Sequence, residues 1–388
     1  MIDYNKIISK KVSDIKPSGI RKFFDLAAEM KDCISLGVGE PDFSTPWNIR
    51  SEGIYSIEKG YTHYTANSGL LELRKEICKY FSKRFLTEYN PDNECLVTVG
   101  GSEAIDLALR TIICPGDEVL IPEPSFVCYN PITTLSNGIP VSLKTTEENE
   151  FRLTYEEIKS KITSKTKALI LSYPNNPTGA IMTKKDLENV CRALDGTDIM
   201  IISDEIYAEL TYGENHVSIS SFPGMKERTI VVSGFSKAYA MTGWRLGYAL
   251  GPKEIIKQMT KIHQFSIMSA STSAQYAAIE ALKNSYQDII YMRDEYNMRR
   301  TMLVNKLREI GFHCFEPKGA FYVFPSLKPF GLSSDEFCKR LLKEEKVAII
   351  PGNAFGESGE GFTRISYAYS IKKLSSALDK IENFVSKL

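Results

Sequence analysis

The sequence predicts an α/β fold: a large domain with a mostly parallel sheet flanked by helices, plus a smaller α/β domain. Two observations carry this. Short apolar runs rich in β-branched residues recur between stretches of helical periodicity, near residues 95–99, 118–122, 168–172, 199–203 and 229–232. That alternation winds a parallel sheet. A helical stretch from Gln275 to about Ile310 then leads to a second set of strand and helix patterns. The predicted division places 45–285 in the large domain and 1–44 with 286–388 in the small one.

Composition bounds the function. The 388 residues carry 48 basic and 48 acidic side chains. This balance gives no bulk attraction to nucleic acid or to a membrane surface, so neither partner is expected. No apolar run reaches the ~18 residues of a spanning helix. The stretch Met1–Lys6 lacks the hydrophobic region of a signal peptide. Eight cysteines lie scattered without a CxxC pair or neighbouring histidines. They read as thiols of a reducing cytoplasm, with no disulfide and no metal site.

In chain order, Ile20, Phe23, Phe24, Ala27 and Met30 fall on one side of a helical pattern. Gly37-Val38-Gly39 looks like the start of a dinucleotide turn, but the third glycine is missing and Pro41 follows. Tyr61–Gly69 precedes a helix with Leu70, Leu73, Ile77 and Phe81 on one face. After the strand near 95–99, Gly100-Gly101-Ser102 turns into a helix predicted over 103–113. Glycine lets the backbone approach a ligand closely, and the first amides of a helix are free to bind an anion. Phe126, after the next strand, offers a flat face for stacking. Glu205 reads as structural, and His63 as a structural or exposed histidine.

Three more strands end in polar residues. The strand near 168–172 runs into Tyr173-Pro174-Asn175-Asn176-Pro177-Thr178-Gly179, where Asn176 offers an amide donor. The next ends at Asp204, with Tyr207 three residues on. An aspartate there can pair with a protonated ring nitrogen, and it can also cap a helix. The run Thr229–Val232 leads to Lys237 among small residues, with Arg245 eight positions later. A lysine with a lowered pKa forms Schiff bases, and an arginine fork suits a phosphate. A lysine for an aldehyde and an arginine for a phosphate meet the demands of pyridoxal 5′-phosphate (PLP). Anion cradle, asparagine, aspartate and lysine each follow an apolar strand, as a ligand at the carboxyl edge of one sheet requires. Arg364 lies inside the apolar run Thr363–Tyr367, where a charge is expensive without an anionic partner.

Gly39–Phe43 (GEPDF), Asn175–Gly179 (NNPTG) and Ser233–Gly247 (SGFSKAYAMTGWRLG) resemble the motifs of class I aminotransferases of the aspartate/aromatic type, PLP fold type I. The resemblance runs along nearly the whole chain. It implies that Lys237 carries the cofactor and is the catalytic base. Gly101, Ser102, Ser236 and Arg245 would hold the phosphate. Phe126 would stack on the ring, Asn176 and Tyr207 would reach the ring's 3-oxygen, and Asp204 would pair with its nitrogen. Gly39, Asn176 and Arg364 would take the substrate, with Arg364 on the α-carboxylate. Tyr64 would reach the phosphate in a neighbouring subunit, which implies a homodimer. One departure is Gly234, where many members have serine.

The implied reaction moves an amino group from an amino acid to a 2-oxo acid such as 2-oxoglutarate, with ping-pong kinetics. Some aspartate-preferring relatives carry a lysine where this chain has Ser102, which weakens strict aspartate specificity. The segments 18–25 and 316–324 look more like aromatic or broad-specificity members, and Arg21 is a candidate for a distal carboxylate. The alternatives are a cystathionine-type C–S β-lyase of the same fold and a non-catalytic PLP-binding regulator. The short, non-basic segment ahead of residue 45 speaks against the regulator.

Overall fold

The computed structural model describes residues 2–17, 19–20, 23 and 30–388. Arg21, and Phe24 and Ala27 of the expected N-terminal pattern, lie outside the described residues. The first strand, β1 (Ile34–Ser35), stands apart from the seven that follow. These are β2 (Cys95–Thr98), β3 (Glu118–Glu123), β4 (Ile139–Lys144), β5 (Thr166–Ser172), β6 (Met200–Asp204), β7 (Thr229–Gly234) and β8 (Gly247–Leu250). They form one sheet in the order β2-β8-β7-β6-β5-β3-β4. All pairings are parallel except those of β8, which runs antiparallel to both neighbours.

The central strands are buried on both faces, which explains their unbroken apolar runs. Along β7 the side chains alternate between two cores. Val231 packs with Ile77, Phe81 and Val97 on one face, and Ile230 with Ile105, Leu109 and Ile202 on the other. The edge strand β4 gives no such signal in the sequence. It is only half exposed, with one residue, Leu143, fully buried, and contains Pro140, which an edge tolerates.

The antiparallel β8 decides where the lysine loop goes. The chain must reverse after β7, so residues 235–246 fold back at the carboxyl edge of the sheet. Gly234 pairs with Gly247. A Cβ on Gly234 would lie 2.9 Å from Gly247 Cα, and one on Gly247 would lie 2.6 Å from the Gly100 carbonyl carbon. Three backbone segments thus converge at Gly234, Gly247 and Gly100.

Four short strands follow: β9 (Tyr322–Val323), β10 (Val347–Ala348), β11 (Ile350–Pro351) and β12 (Thr363–Ser366). β11, β12 and β9 form an antiparallel sheet, while β10 pairs in parallel with β1. The single strand expected over 347–350 is therefore two, shared between two sheets. Helices Ser334–Glu345 and Ile371–Val385 meet through Phe337 and Phe384, with ring centroids 5.2 Å apart.

Two helix expectations are corrected. The helix expected to begin at Glu103 spans Gly101–Ile112, because Gly100 takes the N-cap position at φ 79°. Gly101 and Ser102 therefore lie in its first turn. The continuous helix expected from Gln275 is two, Thr272–Asn284 and Tyr286–Ile310. They part at Ser285, whose buried hydroxyl accepts a 2.6 Å hydrogen bond from Asn48 Nδ2.

Candidate active site

A cavity of ≈ 420 Å³ opens at the carboxyl edge of the large sheet. β6 delivers Asp204 to it. The carboxylate is buried; Oδ2 accepts from the Tyr129 hydroxyl at 2.8 Å and Oδ1 from the Ile206 amide at 3.2 Å. Burial pushes its pKa up, and the two hydrogen bonds oppose that shift. A cationic partner in the cavity would relieve this burial.

The β7–β8 loop brings in Lys237. Its Nζ donates to the Gly39 carbonyl at 2.6 Å and lies 5.7 Å from the ring centres of both Tyr207 and Phe321. Part of the side chain faces the cavity, yet the surrounding protein desolvates the amine. Burial is the main cause that lowers its pKa to about 8; Glu40 opposes the shift, while Arg364 and Arg245 reinforce it. The loop is stapled to Thr45, which donates to the Ala240 carbonyl at 2.6 Å and accepts from Trp244 Nε1 at 3.1 Å. Ala240 and Arg245 hold left-handed φ values of 51° and 53°, strain of the kind that functional loops retain.

Arg245 lies over the turn that starts the helix Gly101–Ile112. A Cβ on Gly100 would stand 2.7 Å from its Nη2, and the left-handed φ of 79° there favours glycine. No side chain caps this helix N-terminus. Free amides, a positive helix end and a guanidinium form a cradle for a dianion, with Ser102 and Ser236 on the cavity wall.

Arg364 enters from β12. It is buried; Nη1 donates to Asn176 Oδ1 at 2.9 Å, Nη2 to the Gly37 carbonyl, and Nε has no partner. Among the described residues no carboxylate pairs with it. The fork is a buried cation held by neutral acceptors, which suits an anionic ligand. Tyr207 and Tyr322 share a hydroxyl–hydroxyl hydrogen bond of 2.8 Å. Phe126 lines the cavity and meets Tyr129 edge-on at 5.9 Å. Gly39 lines it too, and a Cβ there would fall 2.2 Å from Tyr322 Oη.

The cavity thus gathers the expected residues from 39 to 364, except Tyr64, which is 83% exposed and stands outside the lining. Glu205 faces away from it and is satisfied by Ser203, Ser218 and His216 at 2.8, 2.7 and 2.9 Å. Sequence reasoning misses Tyr129 and Tyr322. Tyr129 sits three residues after Phe126, a spacing that hints at a shared face but names no partner.

The model of the family "Aminotransferase class I and II" matches residues 31–381. The chain belongs to this family. This aminotransferase is 47% identical over 378 residues to the aspartate aminotransferase of Pyrococcus abyssi, covering 97% of each chain. It is 45% identical over 383 residues to aromatic-amino-acid aminotransferase 2 of Thermococcus litoralis, covering 98% of each. Its structure matches the crystal structure of an aromatic aminotransferase from Pyrococcus horikoshii OT3 with a TM-score of 0.91 and 44% identity. That match covers 95% of this chain and 99% of the other. The fold is PLP fold type I, the enzyme is a transferase, and its cofactor is PLP. The donor set fits that cofactor: an amine of lowered pKa, a dianion cradle and a buried carboxylate. The lyase and regulator alternatives are not favoured. Among the described residues no helix is long and apolar enough to cross a membrane, and no cluster has the make-up of a metal site.

Proposed function

We propose that this aminotransferase moves the amino group of aspartate or an aromatic L-amino acid to a 2-oxo acid such as 2-oxoglutarate, with ping-pong kinetics. The observation that carries the reading is Arg364: a buried guanidinium with no carboxylate partner among the described residues, lining one cavity with Lys237. An α-carboxylate on Arg364 brings the substrate Cα toward the lysine amine.

Bound PLP supplies an aldehyde for the amino group and an electron-accepting ring. In this reading Lys237 anchors it. Gly101, Ser102, Ser236 and Arg245 would hold its phosphate, Phe126 would stack on the ring, and Asn176 and Tyr207 would serve its 3-oxygen. Asp204 would keep the ring nitrogen protonated. The Lys237 amine would take the proton from the substrate Cα as general base and, as its conjugate acid, give it to the cofactor's former aldehyde carbon; the second half-reaction would run both transfers in reverse. Arg364, Asn176 and Gly39 orient the carboxylate. With Ser102 in the cradle, a lysine is not available there for a distal carboxylate, which supports a broad donor range.

The active unit in this proposal is a homodimer, with Tyr64 reaching the neighbouring site. Its support is an exposed apolar patch. Asn67 Nδ2 donates to the Met268 carbonyl at 2.9 Å and Thr272 Oγ1 to that of His63 at 2.7 Å. These bonds stitch Tyr64 to a stretch with Phe265, Ile267 and Met268 exposed. The proposal keeps 45–285 as the large domain and 1–44 with 286–388 as the small one, supported by the pairing of β1 with β10. A reducing cytoplasm suits the eight free cysteines.

The test is the visible spectrum of the PLP-loaded enzyme with aspartate, tyrosine or phenylalanine, followed by 2-oxoglutarate. The expected result is loss of the band with each donor and its return with the oxo acid. Activity confined to alanine or a diamine, or release of pyruvate and ammonia with the band unchanged, defeats the proposal.

A further inference from the structure

We infer that Tyr322 is a positioning residue for transamination: its hydroxyl directs the Tyr207 hydroxyl at the cofactor, and its ring supports Arg364. This rests on the proposed placement of Tyr207 at the 3-oxygen of the ring.

Tyr322 lies on β9, beside the strand that carries Arg364, and is fully buried while lining the cavity. It touches three separate parts of the site. Its Oη is 2.8 Å from Tyr207 Oη. That same oxygen packs against Gly39, where a Cβ would stand 2.2 Å away. Its ring lies 4.6 Å from the Arg364 guanidinium carbon.

Two hydroxyls at 2.8 Å share one proton, and the cofactor's chemistry chooses its direction. An anionic 3-oxygen only accepts hydrogen bonds, so Tyr207 must donate to it. The Tyr207 oxygen then accepts, and the shared proton comes from Tyr322. A hydroxyl that accepts a hydrogen bond donates more strongly. Tyr322 therefore fixes the rotor of Tyr207 and strengthens it as a donor. The charged and titratable groups around the pair are Arg364, Asp204, Lys237 and the tyrosines Tyr367 and Tyr369. The face of the Tyr322 ring meanwhile steadies the buried guanidinium through a cation–π contact, which a phenylalanine would preserve.

The test compares Tyr207→Phe, Tyr322→Phe and the double variant, each loaded with PLP. The pH midpoint of the visible absorption band is titrated, and kcat and KM are measured with one amino donor. Losing a donor to the 3-oxygen destabilises the deprotonated chromophore, so the midpoint rises in Tyr207→Phe. In Tyr322→Phe it rises the same way by a smaller ~0.5, with kcat down about five-fold. KM stays near wild type because the ring remains under Arg364. In the Tyr207→Phe background, Tyr322→Phe adds no further shift. Tyr322→Leu, which removes the ring, raises KM about ten-fold.

An unmoved midpoint in Tyr322→Phe with a moved one in Tyr207→Phe overturns the inference and leaves the site reading standing. So does a Tyr322→Phe shift that persists undiminished in the double variant. An unmoved midpoint in Tyr207→Phe removes the placement of Tyr207 and the inference with it.

Discussion

Asp204 and Glu205 are neighbours in sequence and both are buried, yet they live in different chemistry. Glu205 has its oxygens satisfied by two serine hydroxyls and His216, away from the cavity. Asp204 has one tyrosine and one amide, and it lines the cavity. The two arginines Arg299 and Arg364 repeat the contrast. Buried Arg299 closes on Asp42 at 2.8 Å. Buried Arg364 rests on an amide and a carbonyl; both arginines leave Nε unpartnered, so the carboxylate is what separates them. A charge that the protein has already balanced holds the fold, whereas a charge left short and facing a cavity is balanced by a ligand. The difference lies in the partners, since burial alone does not separate the two kinds.

The largest effect belongs to the lysine of the cavity. Lys237→Ala is expected to abolish the visible band of the PLP-loaded enzyme and to lower kcat by at least ~10³-fold. An absorption spectrum and a transamination assay check this; a retained band would break the comparison at its centre.

The carboxylate pair comes next. Asp204→Asn is expected to lower kcat by about 10²–10³-fold, as for loss of one preorganised electrostatic contact, with the unfolding midpoint near wild type. Glu205→Gln is expected to do the reverse. It disturbs a buried network at ~1–3 kcal/mol of stability, measured by urea unfolding, and leaves kcat within a few-fold. Equal effects on both scales would erase the distinction.

The arginine pair sharpens the same line. Arg364→Leu is expected to raise KM for the amino donor about 100-fold through loss of a charge-assisted fork, with the fold intact. Arg299→Leu leaves Asp42 without its cation and is expected to destabilise the fold by roughly 2 kcal/mol, less than for a fully buried pair because Asp42 is partly exposed. Steady-state kinetics and chemical unfolding on the two variants separate these outcomes.

The smallest effect is a pH dependence. Only the neutral amine of Lys237 attacks an aldehyde. With its pKa lowered to about 8 by burial, the rate of PLP uptake by apoenzyme is expected to climb up to about pH 8 and then level off. Linkage has the same sign: between about pH 8 and the ordinary lysine value of 10.5 the unfolded chain holds more protons, so this residue makes stability rise with pH. Stopped-flow absorbance over pH 6.5–9.5 reads the first, and a plateau displaced to the ordinary lysine range would mean that the amine is not desolvated.

The residues at the strand ends were legible because their signal is local. Asn176, Asp204 and Lys237 each follow or close an apolar run, and a parallel sheet delivers such ends to one edge. The partners were not legible because they come from far along the chain. Tyr129 reaches Asp204 across 75 positions, and Tyr322 reaches Tyr207 across 115. β4 escaped because an edge strand needs no apolar run. The break at Ser285 escaped because helical periodicity continues across it, and only the hydrogen bond from Asn48 marks it.

By itself the sequence determined the alternating architecture, the order of the chemical residues and the family of the chain, since these rest on periodicity and on letters at fixed spacing. Tertiary structure alone decided which charges stay unbalanced. Arg364 and Arg299 are the same letter and both buried, and Asp204 and Glu205 adjoin. What separates them is the donor or acceptor that folding brings within hydrogen-bond reach, a three-dimensional coincidence that no local pattern encodes.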